Sequence, residues 1–478
     1  MTIKKVNIDA LRSRYLKVIR TPMKQSWPKS NSDVCIRCAT CMAVCPVSRV
    51  TPKFPGPKQA GPGAERFRRP GEPSVDDWID LCIGCHLCDL VCSSGVNISE
   101  LNLIAKAKYL DEKGRPFRDW LLTHSYLFGR LGSLLSLLTN RLLRNSQIKW
   151  LVDALLRIDR RRELPGYESS TFRQWFRKHR SQGNHPRAIR ARQAAEVDNP
   201  PSPPFSLRPR AVSLRAGGLY EPEADPEGKG GRGGFKPHSK DKKKIAYFYG
   251  CYINTNEVDV GKATVQVLEA NSFEVTLPPQ RCCGIPMLGN GDFKGAKKMA
   301  LYNVPSLLNT IRSGSEIIFS STSCGHMIKH EYSHLLSIPD AEEVAEHIFD
   351  IFEFLRNLIE SNGLNAHFKE LSLKIAYFAP CHLRALGIGL PALEILRLIP
   401  GLQIDNIEAD CCGMGGTFGF KKEKYEISQE IGKDLAEAVD RLKPEIILSD
   451  CEGCRMQIRH LTGLKVLHPI QILRDALT

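Results

Sequence analysis

Between residues 35 and 92 one cysteine spacing, C-x2-C-x2-C-x3-C, occurs twice. Cys35, Cys38, Cys41 and Cys45 are followed by Pro46, and Cys82, Cys85, Cys88 and Cys92 by Ser93. Three thiols within seven residues oblige the backbone to wrap a compact object. In two-cluster ferredoxin-type runs they reach three irons of one cube, and the fourth cysteine reaches the other cube. The spacing therefore predicts one [4Fe–4S] cluster on Cys35, Cys38, Cys41 and Cys92, and a second on Cys82, Cys85, Cys88 and Cys45. Zinc is the alternative, but tetrahedral zinc sites pair two short knuckles rather than three cysteines in seven residues. Ile36, Val44, Ile83 and Val91 are expected to shield these clusters.

A second pattern fills the C-terminal half. Lys-Ile-Ala-Tyr-Phe occurs at 244–248 and again at 374–378, each followed by a cysteine, Cys251 and Cys381. Next come Cys282-Cys283-Gly284 and Cys411-Cys412-Gly413, then Cys324 and Cys451. Constant order and near-constant offset mark a duplicated unit. Apolar strand-like runs alternate with helical patterns, as in parallel α/β folding, and the cysteines follow the strands, where open α/β sheets bind ligands. The second unit has a fifth cysteine, Cys454, where the first has Met327. Five thiols (Cys381, Cys411, Cys412, Cys451 and Cys454) exceed what a cubane needs, and adjacent cysteines can hold or bridge neighbouring irons. Cys251, Cys282, Cys283 and Cys324 still suffice for a further [4Fe–4S] centre. Buried cysteines acting as small hydrophobes and a redox pair at Cys451-x-x-Cys454 are the competing readings. Gly413 would permit close backbone approach. His382 could donate a proton or hydrogen bond near a cluster, and His326 carries less weight.

The expected fold is α+β and multidomain: a helical two-cluster ferredoxin-like domain, then helices, then a duplicated α/β Cys-Cys-Gly domain. The divisions are a basic extension at 1–30, the ferredoxin-type domain at 31–110, amphipathic basic helices at 111–180, a Pro/Gly/Arg-rich linker at 181–242, and Cys-Cys-Gly units at 243–370 and 371–478. Of the net charge of +15, essentially all sits in the middle third, where residues 101–245 hold 30 Lys and Arg against 14 Asp and Glu. Such a surface suits anionic lipid or an acidic partner. No nucleic-acid motif accompanies it, and nucleic acid is not an expected partner. Leu121, Leu122, Leu127, Leu131, Leu134, Leu135, Leu138, Leu151, Leu155 and Leu156 recur at helical spacing. Those helices either lie on lipid, with Arg141, Arg144, Arg157, Arg160, Arg161 and Arg162 at the headgroups, or face a core or partner. With no secretory signal or transmembrane run in view, a cytoplasmic location is expected. No G-x-G-x-x-G fingerprint follows a first strand, so no flavin or nicotinamide site is expected here.

Further residues carry a family resemblance. Cys-Pro-Val-Ser-Arg-Val at 45–50, Pro55 to Pro62, Thr171-Phe172-Arg173, Gly-Phe-Lys-Lys-Glu at 419–423 and His468-Pro469-Ile470 make the chain similar to the iron–sulfur (C) subunits of anaerobic glycerol-3-phosphate dehydrogenases. The resemblance spans about 31–478 apart from the linker. It implies an electron-transfer subunit, with the catalytic flavin on a partner. An FAD-containing subunit would oxidise glycerol 3-phosphate, and a further flavin subunit could join. This chain would pass electrons to menaquinone or another quinone, peripherally at the inner face of the cytoplasmic membrane. The resemblance also implies a non-cubane [4Fe–4S] cluster on Cys381, Cys411, Cys412, Cys451 and Cys454. The alternatives are a heterodisulfide reductase-like catalytic subunit, or the iron–sulfur subunit of a lactate/glycolate oxidase or a type E succinate dehydrogenase.

Overall fold

In a computed structural model, the structure describes residues 32–69, 71–181, 243–361 and 367–477. The basic extension at 1–30 and all but the first residue of the 181–242 linker lie outside the described residues.

The ferredoxin-like part is short helices around tight loops. Thr40–Ala43 lies within the first cysteine run and Pro46–Val50 follows it; Leu87–Leu90 lies within the second and Ile98–Lys113 follows it. Both runs turn the same way. Arg37 and Gly84, and two residues on Ala39 and His86, have left-handed backbone, with φ of 60°, 62°, 68° and 61°. Few non-glycine residues adopt that region. Here it curls the chain so that Cys35, Cys38 and Cys41 gather together. Pro46 starts its helix at a position that lacks a hydrogen-bond duty, and so costs nothing.

The C-terminal half contains two four-stranded parallel sheets. The first has β1 (Lys244–Phe248), β2 (Glu274–Thr276), β3 (Glu316–Phe319) and β4 (Ile348–Asp350) in the order β2-β1-β3-β4. The second has β5 (Leu373–Tyr377), β6 (Leu402–Asn406), β7 (Ile446–Leu448) and β8 (Val466–Leu467) in the order β6-β5-β7-β8. The inner strands are buried on both faces and read as continuous apolar runs, as parallel strands do. The duplication reaches side-chain detail. Tyr247 bonds Ser320 at 2.5 Å, and its counterpart Tyr377 donates to Asp450 at 2.7 Å.

Four helices (Phe117–Thr123, Ser125–Leu134, Ser136–Arg144 and Ser146–Leu156) connect the ferredoxin-like part to a fifth, Phe172–Ser181. Their leucines divide. Leu122 and Leu156 pack on the core of the second sheet, whereas Leu131, Leu134, Leu137, Leu138 and Leu155 are exposed. Phe172, fully buried, packs against Tyr247, Tyr249 and the bare backbone of Gly261. Arg162 departs from the expected headgroup role: it is buried and donates to the Gly419 carbonyl at 3.0 Å and to Gln457 at 2.5 Å.

Candidate metal centres

Each sheet changes winding direction between its two central strands, and the crevice at that point opens at the strands' carboxyl ends. Cys251 follows β1 and Cys324 follows β3; Cys381 follows β5 and Cys451 follows β7. The paired cysteines arrive from the loops after β2 and β6. Gly284 and Gly413 hold φ of +94° and +86°, and a Cβ on Gly413 would collide with the Ser428 carbonyl oxygen. The glycine is what lets Cys411 and Cys412 turn into the crevice.

The structure brings the singled-out cysteines into four groups. Cys41 lies in the field of Cys92, Cys35 and Cys38, and Cys85 in that of Cys45 and Cys82. Cys92 thus lies near the thiols of the first run and Cys45 near those of the second. In the first Cys-Cys-Gly unit, Cys251 lies 3.7 Å from Cys282, and Cys283 adjoins Cys282 and Cys324. In the second, Cys381 meets Cys411, and Cys412 meets Cys454, itself beside Cys451.

Their electrostatics ask for a cation. Neighbouring thiols donating to Cys282 and Cys411 push those two well below the usual thiol range, while their partners Cys251 and Cys381 are pushed well above it by the same contacts and by burial. Crowded like charges cannot all ionise without a counter-charge. Iron supplies one, so the donor set fits iron–sulfur clusters.

The groups are close to one another. Cys85 is also in the field of Cys411, which puts the second ferredoxin-type set beside the five-thiol set. His382 links three parts: its Nε2 lies 3.2 Å from the Gly84 carbonyl oxygen, and its Nδ1 3.0 Å from Ser323 Oγ. A cavity of about 450 Å³ runs from Cys381, Cys411, Cys412, Cys451 and Cys454 outward between Leu121, Phe128, Leu143 and Val152. His382 and Glu452 are polar residues in its wall.

The segment that carries Gly-Phe-Lys-Lys-Glu is a tie. Lys421 donates to Asp119 and to Asn290, both at 2.8 Å. Arg118 clasps Glu423 at 2.7 and 3.0 Å, and Lys424 reaches Asp80. Arg49, from the Cys-Pro-Val-Ser-Arg-Val run, pairs with Asp410 at 2.9 Å, next to Cys411.

Sequence reasoning did not single out His86 or Glu331. Both are buried with His326 between the ferredoxin-like part and the first unit. Burial opposes charge on His86, yet Glu331 and Asp89 raise it to about 10. Burial, with His86 alongside, lowers His326 to about 3. His86 is 240 residues from His326 in the chain, and periodicity carries no trace of their meeting.

Comparison with known proteins agrees with this architecture. Residues 31–96 match a 4Fe-4S dicluster domain, and 245–329 and 375–459 each match a cysteine-rich domain. Over 445 residues the chain is 33% identical to the C subunit of the anaerobic glycerol-3-phosphate dehydrogenase of Escherichia coli K12, covering 93% of this chain and 98% of that one. The chain belongs to the family of those C subunits. It is an iron–sulfur protein, and family membership implies a complex with other dehydrogenase subunits. More limited similarity reaches lactate utilization protein A of Bacillus licheniformis (30% over 243 residues, 49% of this chain and 97% of that one). The B subunit of the fumarate reductase (CoM/CoB) of Methanothermobacter marburgensis is 31% identical over 240 residues, 48% of this chain and 46% of that one. Among the described residues no helix is long and apolar enough to cross a membrane.

Proposed function

We propose that this chain is the electron-transfer subunit of an anaerobic glycerol-3-phosphate dehydrogenase complex, taking electrons from an FAD-containing subunit and passing them to a membrane quinone such as menaquinone. The observation that carries this reading is the cavity joining the five-thiol set to the apolar underside of the connecting helices. An apolar pocket with a few polar groups is the kind of site that takes a quinone headgroup.

Bound clusters would supply reversible one-electron transfer. Cys35, Cys38, Cys41 and Cys92 would hold one [4Fe–4S] cluster, and Cys82, Cys85, Cys88 and Cys45 another. Cys381, Cys411, Cys412, Cys451 and Cys454 would hold a third of non-cubane type, and Cys251, Cys282, Cys283 and Cys324 a further one. The chain's own residues set distance and polarity. The Gly84–His382–Ser323 bridge fixes the ferredoxin-like part against both units, and apolar residues of the connecting helices line the cavity.

The same helices turn Leu134, Leu137 and Leu155 outward, 78%, 89% and 72% exposed, beside Arg141 and Arg144. An apolar face rimmed by arginine suits peripheral attachment to an anionic bilayer, here the inner face of the cytoplasmic membrane. Quinone would then enter from the lipid side.

The test is the purified complex, assayed anaerobically with glycerol 3-phosphate and a quinone analogue, and separately with a disulfide substrate. Glycerol-3-phosphate-dependent quinone reduction is expected. A second reading, in which the second unit itself reduces a disulfide, is favoured by the five thiols lining the same cavity. Disulfide reduction without glycerol 3-phosphate activity would establish it instead.

A further inference from the structure

Between the ferredoxin-like part and the first Cys-Cys-Gly unit lies a second kind of donor set, with no sulfur in it. His86 Nε2 is 3.1 Å from Glu331 Oε1, and His326 Nε2 is 3.2 Å from the same oxygen. The three ligand atoms lie within 4.8 Å of one another, and all three residues are buried. Donor atoms about 2.0–2.1 Å from one tetrahedral ion stand a little over 3 Å apart, so these separations match two edges of such a polyhedron.

The far side of His86 is built as metal-ligating histidines usually are. Its Nδ1 lies 2.7 Å from Ser99 Oγ and 3.1 Å from Asp89 Oδ2, and Asp89 is itself held by the Ser99 N–H at 2.9 Å. A carboxylate on Nδ1 fixes the proton there and turns the Nε2 lone pair to the ion. That lone pair faces a carboxylate oxygen, as does the Nε2 of His326. Neither ring nitrogen of His326 nor Glu331 Oε2 makes a hydrogen bond of good geometry among the described residues, although both side chains are more than nine-tenths buried. The proton shared by His86 and Glu331 still leaves His326 Nε2 and Glu331 Oε2 unserved in a dry place, a deficit that a cation removes.

The local backbone supplies the rest. His326 and Glu331 are five residues apart, which in an α-helix puts them about 140° apart around the axis. Here Met327–Glu331 is a π-turn, with the Tyr332 N–H bonded to the Met327 carbonyl, and the wider turn brings the two side chains to one side. The second unit has no such device. Its corresponding residues are Gly453, Cys454 and Ile458, on the regular helix Glu452–Thr462. The π-turn and its His/Glu pair thus occur in the unit that has Met327 in place of the fifth cysteine.

We propose that His86, His326 and Glu331 bind a zinc ion that clamps the ferredoxin-like part to the first Cys-Cys-Gly unit. Two imidazoles and a carboxylate are a zinc donor set of borderline softness. The His382 ring, stacked on His326 at 5.0 Å and 9°, closes one flank. Loading displaces the proton that otherwise sits between His86 and Glu331.

The experiment uses the full chain, purified anaerobically with its clusters, washed with a mild chelator and measured for zinc and iron together. One zinc per chain is expected. His326→Ala and Glu331→Gln should each lower zinc at least fivefold while iron content and the cluster electron paramagnetic resonance signals persist. Zinc-edge absorption of the unaltered chain should show nitrogen and oxygen neighbours only, a readout independent of how the variants fold. Chain without zinc, zinc retained in both variants, or sulfur in the zinc shell would overturn the proposal.

Discussion

Ser323 Oγ, in the first unit, lies 3.5 Å from Cys451 Sγ in the second, and 3.0 Å from His382 Nδ1. One hydroxyl proton can serve only one of them. Because His382 Nε2 faces the Gly84 carbonyl, its proton belongs there, and Nδ1 competes with the sulfur for the serine proton. Hydrogen bonds to cluster sulfur stabilise the reduced state and raise the potential. Ser323→Ala should therefore lower the potential of the centre on Cys451. His382→Phe, which frees the hydroxyl for sulfur, should raise it. A hydrogen bond of about 0.5–1.5 kcal/mol corresponds to roughly 20–60 mV for one electron. Potentiometric titration followed by electron paramagnetic resonance reads both shifts, and equal signs would contradict the competition.

Cys454→Ala removes the fifth thiol from the second unit. The spectroscopic signature of that unit's cluster should disappear, with both ferredoxin-type signals retained, since Cys454 belongs to neither of those sets. Unchanged spectra would show that the fifth thiol is no ligand.

Lys421→Met leaves Asp119 buried with its lysine partner gone; both side chains are under 5% exposed. Arg118 Nε still lies 3.2 Å from Asp119, so the cost is that of the lost charge-assisted hydrogen bonds, about 1.5–3 kcal/mol, below that of a wholly unpaired buried charge. Denaturant unfolding should show a loss of that order, and iron content of the folded protein should not change. Exposed Arg312–Glu343 is the control: Arg312→Ala should cost at most about 1 kcal/mol.

Leu137→Glu with Leu155→Glu tests the membrane face. Burying one leucine yields about 1.5–3 kcal/mol, so losing two should weaken partition to anionic vesicles more than tenfold. Co-sedimentation at two salt concentrations separates this from the arginine contribution, which salt screens. Vesicle binding that survives the pair of changes would move the lipid contact elsewhere.

The grouping of the thiols was legible because short-range spacing dictates it. Cys35 to Cys41 and Cys82 to Cys88 leave the backbone little choice, and the strand-then-cysteine order of Cys251, Cys324, Cys381 and Cys451 encodes a parallel sheet. The leucine helices were legible only as amphipathic, because periodicity does not say what lies opposite: Leu122 and Leu156 found a core and Leu134 did not. Arg162 was read with its exposed neighbours, yet it turns inward because the carbonyl of Gly419 and the amide of Gln457 wait there. His86, His326 and Glu331 were out of reach for a different reason. Their meeting depends on a π-turn and on a contact across some 240 residues, neither of which leaves a periodic mark. The family-like residues Lys421, Glu423 and Phe172 proved to be fasteners between parts of the chain.

Lys424 and Asp80 are joined across 344 residues, and Gly84 and His382 across 298. Synthesis runs from the amino terminus, so the first eight cysteines emerge long before the walls that bury them. Cys41, Cys45 and Cys88, buried in the finished fold, are most open to assembly machinery during that interval, whereas Cys38 stays exposed. Around the second run the protein is thus a box packed before its lid is made, and a cluster lost there after closure would call for reopening the seam rather than simple refilling.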